Sequence, residues 1–162
     1  MYVRFMATTA EAAPTVADLE DRVCELQASE NLVRARLLEA IADYLATGAW
    51  VEDGARSPAE WLSMRLDVSW RHARDLANVA AALPTLPAMA AAFREGRLSW
   101  DKLRTVVRYA TPETDARLAA EAAHVSLSRL ERQARLAEQR TAEDDVSAHR
   151  RRWISSPASA IA

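Results

Sequence analysis

The chain has 162 residues, of which 50% are hydrophobic and 27% are charged. This balance excludes wholesale disorder and suits about one globular domain. The net charge of −2 excludes a protein held to nucleic acid by bulk positive charge, so any such contact must be local. The single cysteine excludes an intramolecular disulfide and a zinc site built on several thiolates, and no apolar run is long enough to span a bilayer. We therefore expect a cytoplasmic protein without a membrane partner.

The N-terminal residues 1–14 are polar and alanine-rich and show no apolar period. We predict that they form a disordered arm, and that translation starts at either Met1 or Met6. From Val16 onward, apolar residues recur at spacings of three and four, which predicts an amphipathic helix from Val16 to about Thr47. This apolar stripe consists of Val16, Leu19, Val23, Leu26, Val33, Leu37, Ile41 and Leu45.

Such a stripe can pack on the other helices of the same chain or on a second copy of the chain. The sequence therefore leaves a homodimer through the helix from Val16 to Thr47 open. Cys24 falls within this helix, where a small buried residue is the ordinary interpretation. Gly48 follows the helix at the position where a glycine usually ends one.

Ser57 is followed by Pro58 and by Glu60, an arrangement typical of a capping box at the start of a helix. The helix breaks around Asp67, and Ser69 can cap a second helix that runs to Leu83. Two helices joined by a tight turn have the proportions of a helix-turn-helix, whose second helix enters the major groove of DNA. They are also the commonest way to build an all-helical core.

The second of these helices presents three polar side chains near its start. Arginine pairs well with guanine and asparagine with adenine, so this pattern favours base readout if the helix meets DNA. The candidate residues are Arg71, Arg74 and Asn78. The basic run Arg150, Arg151 and Arg152 is a second candidate for phosphate contacts. We expect the helix arginines to matter more, because a helix holds them in place before binding.

The remaining start signals predict three short helices and one longer helix. The short ones are expected from Pro87 to Glu95, from Trp100 to Ala110 and from Pro112 to about Ala123. The last helix starts at Ser126 or Ser128 and ends near Thr141, with a buried face that includes Leu130, Ala134 and either Leu136 or Ala137. No segment alternates as a strand does.

The predicted fold class is therefore all-α: a long N-terminal amphipathic helix followed by a bundle of shorter helices that includes a helix-turn-helix. We divide the chain into the disordered arm 1–14, a helical domain 15–145 and a poorly ordered tail 146–162. The three histidines, His72, His124 and His149, are far apart and lack a metal-binding partner at helical spacing. No glycine-rich phosphate loop is present. We expect no enzyme activity, no metal and no cofactor.

The order of several short strings along the chain resembles a known family over roughly residues 16–152. The strings are Ala59-Glu60-Trp61-Leu62, Leu83-Pro84 through Leu86-Pro87, the stretch Ala91 to Ser99, the stretch Ala110 to Thr114, and Leu127 to Glu131. The family is a domain of unknown function, sometimes called the thirteen-E-twelve repeat family, which commonly precedes a His-Asn-His endonuclease domain in actinobacterial proteins. The resemblance implies a helical domain without an agreed biochemical role.

Members of that family often continue into the nuclease module, whereas this chain ends ten residues after Arg152. No nuclease residue can be carried over, and we expect either a truncated copy or a stand-alone version of the leading domain. The leading hypothesis is a non-catalytic helical module that resembles the leading domain of such nucleases and contributes DNA or partner binding. The alternatives are a structural or dimerisation domain, and a truncated copy without retained function.

Overall fold

The computed structural model describes residues 13–154, with side chains described as far as Glu143. Across residues 13–154 the chain forms seven α-helices and no strand, which confirms the all-α prediction. They are α1 (Val16–Thr47), α2 (Pro58–Leu66), α3 (Trp70–Ala82), α4 (Pro87–Arg94), α5 (Trp100–Val106), α6 (Asp115–His124) and α7 (Leu127–Ile154). Residues 1–12 of the predicted arm and 155–162 of the predicted tail lie outside the described part.

The helix α1 has the bounds that the apolar period predicts. Thr15 caps its start through a capping box, in which the Thr15 hydroxyl accepts from the Asp18 amide at 3.2 Å and the Asp18 carboxylate accepts from the Thr15 amide at 2.7 Å. Gly48 ends it in the left-handed region, with φ 72°. A side chain at Gly48 would be strained there, which explains why a glycine follows this helix.

The face that α1 turns to the protein lies beside the apolar stripe, for which the sequence left both the bundle and a second copy open as neighbours. Its buried residues are Asn31, Ala35, Leu38 and Ile41, and this half of α1 packs on α3 and α4. Most of the predicted stripe, from Val16 to Leu37, is exposed instead. The spacing of apolar residues indicates that a helix has an apolar side, but it does not indicate which neighbour covers that side. Successive residues are rotated by about 100° around the helix axis, and this step separates the exposed Leu37 from the buried Leu38. Cys24 is also exposed, which corrects its interpretation as a buried residue.

The pair α2 and α3 forms as the capping signals predict, with one difference at the first cap. The Ser57 hydroxyl accepts from the Glu60 amide at 3.1 Å, but the Glu60 carboxylate accepts from the Arg56 amide at 2.6 Å rather than from Ser57. Asp67 breaks the chain in the left-handed region with φ 51°, and Ser69 caps α3. Three residues thus separate two helices that pack closely on each other.

Three helix boundaries differ by more than one residue from those predicted. The helix α5 ends at Val106 and a turn follows, where the sequence analysis continues it to Ala110. Thr111 and Pro112 do not open α6, because the Thr114 hydroxyl accepts from the Thr111 amide at 2.9 Å and holds a turn that delays the helix to Asp115. The helix α7 continues to Ile154, beyond the end predicted near Thr141.

The start of α4 is capped from a distant part of the chain. Its N-cap residue, Leu86, has no side chain that could accept a hydrogen bond. The carboxylate of Asp115, at the start of α6 and 4% exposed, accepts from the amides of Ala88 at 2.7 Å and Met89 at 3.0 Å. A carboxylate placed there also meets the positive end of the helix dipole. Asp115 therefore joins α6 to α4.

The core lies where α1, α3 and α4 meet and extends through α6 and α5 to α7. Its largest fully buried side chains include Phe93 and Met89 of α4 and Leu38 of α1. Leu130 and Ala134 pack α7 against the bundle. The sequence left either Leu136 or Ala137 as the next residue of this buried face. In the structure Ala137 is half-buried and Leu136 is exposed. Beyond Ala137 the described side chains of α7 are exposed, so the part of α7 that packs in the core ends at this point.

We predict that Ser57→Ala lowers the free energy of unfolding by about 1 kcal/mol, because the Glu60 amide loses its acceptor at the start of α2. Urea denaturation followed by circular dichroism measures this loss. The control is Ser29→Ala in α1, whose hydroxyl donates to the Glu25 carbonyl of its own helix and whose loss is expected to be neutral or slightly stabilising. Equal stability of the Ser57 variant and the wild type would contradict the capping role.

Candidate nucleic-acid interface

The helix α3 separates its apolar residues from its polar ones. Its inner face is buried and consists of Ala73, Leu76, Ala77, Val79 and Ala80. Its outer face carries Arg71, Arg74 and Asn78, all exposed and spaced at i, i+3 and i+7, which places them along one side of the helix. At 1.5 Å per residue they span about 10 Å, roughly the length of three base pairs.

This outer face of α3 forms one wall of a cleft of about 790 Å³. The other walls come from the end of α5, the turn after it, and α7. The charged and polar residues that line the cleft are Arg71, Arg74, Asp75, Asn78, Arg104, Thr105, Arg108 and Glu138. The three residues predicted on α3 therefore lie together, beside two further arginines that the sequence analysis did not single out.

Arg104 and Arg108 are held by carboxylates. Arg104 donates to Asp101 at 2.8 Å and to Asp75 at 3.4 Å, and the hydrogen bond with Asp101 raises the pKa of Arg104 above its ordinary value. Arg108 donates to Glu138 of α7, with Nε at 3.0 Å from the carboxylate. The spacing of Asp101 and Arg104 on one helix could have indicated the first pair, whereas the other two pairs join residues about thirty positions apart.

Arg71 and Arg74 differ from these two arginines. Neither forms an ion pair within 4.0 Å in the part of the chain whose side chains are described. The cleft thus holds four arginines against two carboxylates, and both unpaired guanidinium groups lie on α3. A guanidinium offers several N–H donors in one plane and matches phosphate and guanine well. The lining of the cleft therefore has an excess of positive charge, which lies on this face of α3.

A smaller depression of about 240 Å³ continues the cleft toward the starts of α3 and α5, and it shares Arg71, Asp75 and Arg104 with it. Its lining includes Trp100, whose ring centroid lies 5.0 Å from the guanidinium carbon of Arg34 and 6.0 Å from the ring centroid of His72, in a T-shaped arrangement. His72 therefore packs on an aromatic ring at this end. Trp70, at the start of α3, is 52% exposed.

Trp61 of α2, by contrast, has a structural role. Its ring stacks on Tyr44 of α1 with centroids 4.1 Å apart, and its indole N–H donates to Asp53 at 2.7 Å. This hydrogen bond is the main reason that the pKa of Asp53 lies below its ordinary value. Arg65 donates to the same carboxylate at 3.2 Å. Trp61 thus ties the loop after α1 to α2, as expected of a tryptophan beside a helix cap.

The basic run Arg150 to Arg152 lies on the last turns of α7, and its side chains are outside the described part of the structure. Along the helix, Arg150 is about 18 Å beyond Glu138, the cleft residue of α7. The single lysine, Lys102, lies elsewhere and donates to the carbonyls of Ala122 and Ala123 at the end of α6. Lys102 therefore stabilises a helix end and does not contribute to the cleft.

No group of three or more His, Cys, Asp or Glu side chains within residues 13–143 is arranged to hold a metal ion. Among the described helices, none is by itself both long and apolar enough to cross a membrane.

The family described as domain of unknown function DUF222 matches residues 15–151. The chain belongs to this family. The match begins at Thr15, the cap of α1, and covers all of the cleft and the arginines Arg150 and Arg151. The helical bundle from α1 through most of α7 is thus a DUF222 domain, and its description assigns no activity. No curated protein and no solved structure matches the chain.

Proposed function

We propose that this DUF222 domain is a non-catalytic module that binds DNA in the cytoplasm through the outer face of α3. The observation that carries the proposal is the pair Arg71 and Arg74, which are exposed, lie on one side of a rigid helix and lack an ion-pair partner within the described residues. A guanidinium without a carboxylate partner can bind phosphate or guanine without first breaking an ion pair. The helices α2 and α3, with their three-residue turn, fit the helix-turn-helix proportions.

Two further observations support this proposal. Asn78, one turn beyond Arg74, lies on the same face of α3 and suits readout of adenine. Arg104 and Arg108, at the opposite wall of the cleft, neutralise Asp75 and Glu138, so the excess positive charge of the lining falls on Arg71 and Arg74. The resemblance to domains that precede His-Asn-His endonucleases agrees with a role at DNA. In this proposal the module positions the protein on DNA and performs no chemistry itself.

The test measures binding of a fluorescein-labelled mixed-sequence duplex by fluorescence anisotropy, at salt concentrations from about 50 to about 200 mM. We expect weak binding by the wild type that falls steeply as salt rises, since each phosphate contact releases counterions. The double variant Arg71→Ala/Arg74→Ala should weaken binding at least about tenfold and lower the salt slope by about two, one for each lost contact.

The control is Arg132→Ala/Arg135→Ala on α7. These arginines are exposed, have the same i, i+3 spacing and lie outside the cleft, so the control removes the same charge from another surface. It should change the affinity less than about threefold. A third variant, with Arg150, Arg151 and Arg152 all changed to Ala, should keep much of the binding because those residues lie away from α3. Equal losses in the first two variants, or no binding at low salt, would contradict the proposal.

The alternative is a structural or dimerisation domain. Salt separates the two functions, because hydrophobic association does not weaken with added salt as phosphate contacts do. The exposed half of α1 favours self-association independently of the cleft.

A further inference from the structure

The first half of α1 makes no buried contact with the rest of the described chain. Every residue from Val16 to Glu30 is exposed, and the first buried residue of the helix is Asn31. Even so, this half is a regular helix with a complete capping box at Thr15. At 1.5 Å per residue it is about 22 Å long. A helix that receives so little support from its own bundle needs another source of stability, because isolated helices of this length are marginal in water.

The exposed apolar residues of the described structure are concentrated on this helix. Of the twelve large hydrophobic side chains that are exposed, six form one stripe on α1. They are Val16, Leu19, Val23, Leu26, Val33 and Leu37, with exposures between 38% and 73%. These are the a and d positions of a heptad repeat, interrupted only by Glu30.

The stripe and the buried face of α1 point in different directions. Leu38 and Ala35 face the bundle, and with about 100° per residue the centre of the stripe lies roughly 110° away from them around the helix axis. The bundle therefore cannot cover the stripe while α1 keeps its present contacts. A seam about 32 Å long on a helix about 10 Å wide has an area on the order of 300 Å², which is in the range of the largest apolar patches on monomeric proteins.

Glu30 interrupts the stripe without placing a free charge in it. Its carboxylate accepts from Arg34 at 2.6 Å and from Gln27 at 3.1 Å. Arg34 and Gln27 both occupy e positions of the heptad, on one flank of the stripe. They hold the carboxylate of Glu30 on that flank, so that its methylene groups lie on the stripe.

We propose that α1 pairs with α1 of a second copy of the chain in an antiparallel coiled coil. The charges select the orientation. Residues 16–30 carry a net charge of −4, from five acidic residues and Arg22, whereas residues 31–40 carry +1, from Arg34, Arg36 and Glu39. A parallel pair would place the two acidic halves side by side and Glu30 against Glu30. An antiparallel pair places each acidic half against the arginines of the other copy, which is favourable.

The stripe also defines a register for this pair. When Val23 faces Val33 of the second copy, Leu19 faces Leu37 and Val16 faces Ala40. Leu26 then covers the methylene groups of the second copy's Glu30. The same register brings Glu20 to Arg34 across the flank, since both are e positions and e positions meet in antiparallel coiled coils. The pairing shares no residue with the cleft beside α3. The experiments that test self-association and DNA binding are therefore independent of each other.

Sedimentation velocity from about 1 to about 100 µM tests the pairing. The wild type should sediment as a dimer in the upper part of this range. Leu26→Asp/Val33→Asp should remain helical and sediment as a monomer throughout, because both side chains lie on the seam and neither is buried. The control is Val51→Asp/Met64→Asp, whose residues are 58% and 62% exposed and lie outside the stripe; this variant should remain dimeric. A monomeric wild type, or dimers in all three proteins, would overturn the proposal.

The orientation is tested with a single spin label. Cys24 is the only cysteine, so Cys24→Ser together with Ala17→Cys gives one label at the exposed start of α1. In the antiparallel register residue 17 lies opposite residue 39, and the two labels are about 35 Å apart, from 22 residues of axial rise and a helix separation of 8–10 Å. Pulsed electron paramagnetic resonance on the dimer should measure this distance. Labels closer than about 20 Å would mean a parallel pair and would overturn the proposed orientation.

Discussion

Asp115→Ala is expected to lower the free energy of unfolding by about 3 kcal/mol, a large part of the stability of a domain of this size. The carboxylate is buried and accepts from two backbone amides at the start of α4. Alanine leaves both amides without an acceptor in a place that water reaches poorly, and each hydrogen bond to a charged group contributes about 1.5–3 kcal/mol. The variant also loses the favourable interaction of the carboxylate with the helix dipole.

Urea denaturation measures this effect, with hydrogen exchange at the amides of Ala88 and Met89 as the local readout. Asp115→Asn should lie between the alanine variant and the wild type, because its one carbonyl oxygen can accept from one of the two amides but its NH₂ group cannot accept from the other. The control Asp43→Ala removes an exposed carboxylate from α1 and should cost less than about 0.5 kcal/mol. Equal losses for Asp115→Ala and Asp43→Ala would show that α4 does not depend on the cap.

Leu38→Ala and Leu37→Ala are expected to differ sharply although the two residues are neighbours. Leu38 is fully buried against α3 and α4, whereas Leu37 is 38% exposed on the stripe of α1. Loss of a buried leucine leaves a cavity and costs about 3 kcal/mol or more. Loss of the exposed neighbour removes much less buried area and should cost less than about 1 kcal/mol.

The comparison is made by urea denaturation below about 1 µM protein, so that self-association through the stripe does not add to the stability of either protein. Under these conditions the difference reports only how α1 is rotated against the bundle. The opposite order of losses would mean that α1 faces the core with Leu37, as its heptad pattern by itself suggests.

The existence of most helices follows from the sequence, because the signals that start and stop a helix are local. The period of α1, the caps Ser57 and Ser69 and the glycine Gly48 each act within a few residues. The same locality explains the errors at α6, where the turn held by Thr114 outweighs the start signal of Thr111 and Pro112. The end of α7 has a similar explanation. The mixed charge near Thr141 is not a local stop signal, so the helix continues to Ile154.

What a helix faces depends on the tertiary structure, because a neighbour distant along the chain supplies the contact. The sequence offered one apolar stripe on α1, and the bundle uses the face of Leu38 beside it. Nothing near Leu86 indicates that Asp115 caps α4. On α3 the sequence was sufficient to place Arg71, Arg74 and Asn78 on one exposed face, because polar spacing within one helix is a local property. Only the packing of α5 and α7 brings Arg104 and Arg108 to the same cleft, because α5 lies about thirty residues further along the chain than α3, and Glu138 of α7 about sixty.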